Sequence, residues 1–167
     1  MPEKTNALLN AASLGVVAGM RSQLPLALLS LAARGNEDQQ DLPDMLASPK
    51  VSSMLLVNAA GEIVVDKLPF TPSRLIPGSL VVRTGIGGLA GSLVARAAGL
   101  QPIRGAAIGA VGALVGSYAG YQVRTGLVDG TGMPDPIVAV LEDVAAVALG
   151  SYTVGLWGKP GAEEATQ

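Results

Sequence analysis

Apolar residues in this chain gather into five long stretches, at about residues 6–33, 51–67, 77–98, 103–123 and 136–157. Short segments rich in proline, glycine and charge separate them. Apolar runs of helical length between such breakers predict helices. The fourth stretch holds the longest uncharged run, the 19 residues from Gly105 to Val123. About 20 mostly apolar residues suffice to cross a bilayer. The uncharged runs Val51–Gly61, Thr84–Ala95 and Val144–Gly158 are shorter, at 11, 12 and 15 residues. Taken singly, each would suit a buried helix of a soluble bundle. Taken together, they predict an all-α fold: an integral membrane helical bundle of about five segments, forming a single domain over 1–167. Residues 35–49 read as a polar loop and Leu127 to Asp135 as a Gly/Asp loop. Asp135 is expected to N-cap the last helix, with Pro136 at its first position. The tail from 159 to 167 reads as disordered. The first stretch reads as a retained helix, N-capped near Thr5 or Asn6 and broken at Arg21-Ser22-Gln23 and Pro25, not as a cleavable signal.

Composition narrows the chemistry. Only 14% of residues are charged, against about 25% in a typical soluble domain. His and Cys are absent, which excludes a Ser-His-Asp triad, a thiol nucleophile, a disulfide framework and a His/Cys metal site. The net charge of −2 offers no basic field for nucleic acid. Gly85-x-Gly87-x-x-Ala90 loosely matches a dinucleotide loop, but no acidic residue follows at the distance a ribose would need. No cofactor and no metal are expected.

Two patterns remain. In the fourth segment Gly105, Gly109, Gly112, Gly116 and Gly120 fall on one helix face. Gly87 and Gly91, with Ala95, form a counterpart in the third. In lipid, close backbone approach substitutes for hydrophobic exclusion, so these glycines predict a zipper-like packing seam, within one chain or across a dimer axis. The second pattern is ionic. Arg21, Lys67, Arg83 and Arg124 interrupt the apolar segments, as do Glu62, Asp66, Glu142 and Asp143. A charge at the centre of a lone helix costs about 2.5–3.5 kcal/mol on insertion scales, so these groups should pair or face water. Asn58, Glu62 and Asp66 step by four and share a helix face. Glu142 and Asp143 are adjacent and diverge by about 100°.

Ala18-Gly19-Met20-Arg21 has an echo in Ala119-Gly120-Tyr121-Gln122-Val123-Arg124. Each is followed by a segment carrying an acidic pair, which suggests two halves of opposite orientation, an inverted repeat. Alternating the five segments places Lys4, Lys67, Arg74 and Arg124 on one side and Arg34, Lys50, Arg96, Arg104 and Lys159 on the other. That division sets no orientation by the positive-inside rule.

At these residues the chain resembles a family of bacterial membrane proteins catalogued as domain of unknown function 4126. The resemblance rests on Ala18-Gly19-Met20-Arg21 with Leu24-Pro25, on Glu62-x-x-x-Asp66-Lys67-Leu-Pro69, on Pro72-Ser73-Arg74 with Pro77, on the glycine-rich pair of helices and on Leu141-Glu142-Asp143. It covers about residues 7–157. It implies a small multi-pass inner-membrane protein and no established activity.

The expectation is therefore a membrane transporter or channel for a small ion or solute, lodged in the lipid bilayer as a homo-oligomer, a dimer being favoured. Its pathway would be lined by Arg21, Asn58, Glu62, Asp66, Lys67, Arg83, Arg124, Glu142 and Asp143. The alternative is a structural or assembly protein whose charges only lock helix packing. A lipid-modifying enzyme lacks any recognisable nucleophile–base set in this sequence.

Overall fold

The computed structural model describes residues 2–35, 42–65 and 76–156. They form α1 (Pro2–Met20), α2 (Leu24–Gly35), α3 (Asp44–Ala47), α4 (Pro49–Val65), α5 (Pro77–Ala97), α6 (Pro102–Thr131) and α7 (Asp135–Thr153), with no strand among the described residues. Proline stands in the first turn of α5, α6 and α7, where its missing N–H is no loss. Gly99 and Gly132 end α5 and α6 at φ 65° and 69°, a left-handed conformation that a side chain resists. Three helices, α5, α6 and α7, are long and apolar enough to cross a membrane. The corner at residues 67–74 and the tail from 159 lie outside the described residues.

The interior is built from small residues. The buried positions of α6 are Gly105, Gly109, Gly112, Ala113, Gly116 and Ser117. Here α5 and α6 meet backbone to backbone. A Cβ added at Gly91 would land on the Gly105 carbonyl, and one at Gly109 on the Gly87 carbonyl. These pairs ascend on one helix as they descend on the other, so α5 and α6 are antiparallel. On α1, Gly15 abuts Gly109 and, one turn further on, Gly19 abuts Ala113. Those pairs ascend together, so α1 and α6 are parallel. Large apolar side chains point the other way: Val81, Ile103, Val111, Val115, Tyr118, Val144 and Tyr152 are all exposed. A contiguous outer surface of this kind would aggregate in water and suits hydrocarbon.

After Met20 the chain folds back. Gly150 of α7 lies against both the Leu28 and the Val17 side chains. In a continuous helix those two residues would be about 16 Å apart along the axis. Leu14, Val17, Leu24, Leu28, Leu29 and Ala32 accordingly share one buried cluster with Ala90, Ala146 and Val154. Helix α4 then runs back along α2: the Ser30 hydroxyl donates to the Leu46 carbonyl at 2.5 Å, and Ser22 meets Glu62 at the far end. Helices α1, α4 and α6 thus point one way, and α2, α5 and α7 the other.

This hairpin corrects the inverted-repeat expectation. The segments carrying Arg21 and Arg124 run parallel, because α2 returns the chain to its starting side, and α6 is unbroken at Arg124. The alternating division of basic residues falls with it. Three local expectations change as well. A short helix, α3, lies inside the 35–49 stretch and is anchored by buried Leu42 and Leu46. Helix α6 continues to Thr131, because helical hydrogen bonding does not stop where the apolar run does. Pro134, not Asp135, takes the N-cap position of α7 and supplies no side-chain cap.

Candidate functional site: a charge cluster at the helix break

A break between two helices frees carbonyls at one end and N–H groups at the other, and inside a membrane both need partners. The last carbonyls of α1, those of Gly19 and Met20, each accept from the Arg83 Nη1 group at 2.9 Å. The Ser117 hydroxyl also donates to Gly19, at 3.2 Å. At the start of α2, the backbone N–H groups of Ser22 and Gln23 donate to the two carboxylate oxygens of Glu62, each at 2.8 Å. The Ser22 hydroxyl adds a third donation at 2.9 Å. A cation therefore sits at the negative end of one helix dipole and an anion at the positive end of the next.

The two caps are linked, since Arg83 Nη2 lies 3.6 Å from Glu62 Oε1. Ser79, one turn before Arg83, accepts from its Nε at 3.1 Å and fixes the guanidinium. Arg21 occupies the break itself. Its N–H still bonds Val17, and its Nε pairs with Asp143 of α7. Arg21, Arg83 and Asp143 are 1%, 5% and 8% exposed, and the Glu62 side chain is 13% exposed. The helix break, α4, α5 and α7 thus bring two guanidinium and two carboxylate groups together, with Ser117 of α6 beside them. Glu142 is half-buried beside Asp143, with its Oε2 buried.

Other expected site residues lie elsewhere. Asn58 is exposed on α4, and its amide donates to the Met54 carbonyl at 2.9 Å within the same helix. The polar stripe from Asn58 to Glu62 therefore does not face the cluster as a whole. Arg124 makes a two-pronged ion pair with Asp135, at 2.7 and 2.6 Å, across the turn between α6 and α7. Asp66 and Lys67 lie outside the described residues. Gly87, Gly91, Gly105, Gly109, Gly112 and Gly116 are all buried at helix contacts, and Gly120 is half-buried.

Three contributors, Ser117, Gly15 and Gly19, were not singled out from the sequence pattern. Ser117 hides in the glycine stripe as one more small residue. Gly15 and Gly19 put α1 into the same seam, and the Gly15-x-x-x-Gly19 spacing is a signal that could have found them.

No curated protein and no solved structure matches the chain. The family described as "Domain of unknown function (DUF4126)" matches residues 8–155, which take in every residue of the cluster, and the chain belongs to that family.

Proposed function

We propose that this protein is a multi-pass transporter or channel for a small ion or solute in the bacterial cytoplasmic membrane. Its working site would be the charge cluster at the α1–α2 break. One observation carries the reading: two oppositely polarised helix ends meet three buried charges and the half-buried Glu62 at one place inside an apolar bundle. Membrane carriers place ion and solute sites where interrupted helices present such ends, and intramembrane ionisable groups mark pathways. Five membrane segments, α1 with its returning α2, then α4, α5, α6 and α7, would form the bundle, with the glycine faces as its zipper. A homodimer is the expected assembly.

The helix directions also support an orientation. Among the described residues, Lys4, Arg34, Lys50, Arg96 and Arg104 are exposed at the end of the bundle where α1 begins, whereas Arg124 stands at the opposite end. Short basic segments favour the cytoplasmic side, so the start of α1 would face the cytoplasm.

The test is flux in proteoliposomes under ion and pH gradients, comparing the wild type with Asp143→Asn. Gradient-driven movement that the variant abolishes supports the proposal, and identical background leakage in both refutes it. A second reading is favoured by the mutual pairing of Arg21 with Asp143: the charges would serve only to register helices for assembly. In that case exchanging the two residues restores folding and cellular phenotype together. A transport site would regain folding without flux.

A further inference from the structure

We propose that the outer groove between α1 and α6 holds one anionic phospholipid, with an acyl chain lying in the groove and the phosphate on the Arg104 guanidinium. The inference rests on the chain's lodging in a bilayer, and not on transport.

The groove follows from the same small residues that bring these two helices together. Gly112 lets α6 close onto the Ala12 backbone, and Ala12 and Ala107 add little bulk beside it. Val16, Ile108, Val111 and Val115 rise around them. The result is a hollow of about 410 Å³ with a wholly apolar lining. Ala107, Val111 and Val115 are exposed, so the hollow opens on the outer surface of the bundle. Water finds no polar partner there. A flexible hydrocarbon chain gains dispersion contacts with the floor and both walls.

The position of the groove selects a lipid over a second helix. From Ala107 to Val115 the helix rises about 12 Å, which fits within one leaflet of a hydrocarbon core about 30 Å thick. Tyr118, bulky and exposed, lies two turns past Val111 on the same face and beyond the lining. A partner helix would need a seam running through both leaflets. At the other end of the groove stands a cation. Arg104, Ile108, Val111 and Val115 step by 4, 3 and 4, so Arg104 shares the face that lines the groove. Helical side chains lean toward the helix N-terminus, which carries the guanidinium on toward headgroup level. Arg104 is exposed and has no ion pair among the described residues. Its planar fork suits a phosphate. Lys4, also exposed, stands at the same end of the bundle. On the proposed orientation this end meets the cytoplasmic leaflet, whose surface is anionic.

The test places the full chain in nanodiscs of equimolar dioleoyl phosphatidylglycerol and dioleoyl phosphatidylcholine and counts retained lipids by native mass spectrometry. The wild type should keep one lipid, favouring phosphatidylglycerol by about fivefold, the worth of one basic residue at an anionic surface. Arg104→Ala should keep a lipid but lose the preference. Val111→Trp fills the groove and should release the lipid, whereas Val81→Trp, on the exposed face of α5, should not. Equal retention of the two lipids by the wild type overturns the proposal, as does a preference that survives Arg104→Ala. A Val111→Trp variant that loses a dimer mass while its lipid count stays unchanged assigns the groove to a second copy instead. Should Val111→Trp fail to insert, the Arg104→Ala ratio decides alone. Absence of flux leaves these outcomes untouched, while a chain that stays monodisperse without detergent sinks the bilayer reading itself before any lipid is added.

Discussion

Two glycines on one helix separate packing from propensity. Gly85 and Gly91 both lie in α5, six residues apart. A methyl group added at Gly85 meets nothing within 4 Å. At Gly91 it would fall on the Gly105 carbonyl oxygen, with the Gly109 Cα only 3.1 Å away. Those are backbone atoms, and no rotamer change moves them aside. Helices α5 and α6 would have to separate by about 1 Å, loosening the dispersion contacts of the whole seam. Overpacking costs about 1–3 kcal/mol, and a rigid backbone obstacle places Gly91→Ala at the upper end, about 2–3 kcal/mol. Gly85→Ala should stay within about 0.5 kcal/mol, as surface changes do. The helical preference of alanine largely cancels, because helices persist in the unfolded state within micelles. Reversible unfolding in mixed micelles with rising SDS measures both. Equal shifts for the two variants would refute the seam as a source of stability.

Three further outcomes follow from the ion pairs and the helix directions. Arg21→Gln and Asp143→Asn should each destabilise by about 3–5 kcal/mol, because each strands a buried charge, and the double variant should lose less than the sum, as a double-mutant cycle in the same micelles would show. Arg124→Ala should cost under about 1 kcal/mol in that assay despite its two-pronged bond, since Asp135 is 54% exposed. Cysteines at exposed Gln101 and Asp129 lie at opposite ends of α6. On intact cells an impermeant maleimide should label Asp129→Cys, and should reach Gln101→Cys only after permeabilisation; the reverse pattern overturns the orientation.

Much of this protein was written in its residue pattern. Apolar runs bounded by proline and glycine mark the helices, because backbone hydrogen bonding inside lipid leaves few other choices. The spacing of Gly105, Gly109, Gly112 and Gly116 marks a face meant for close approach. Arginines and carboxylates within those runs mark groups that must find partners. What the pattern could not hold is direction. Three residues, Arg21 to Gln23, can bend a helix or reverse it, and only the packing of Leu28 and Val17 on Gly150 selects reversal. That choice makes α1 and α6 parallel, gathers the exposed cations at one end, and brings Arg21 to a carboxylate 122 residues away. Ion pairing acts through space while sequence spacing speaks only within a helix, so Asn58 and Arg124 resembled members of the cluster until the fold placed them outside it.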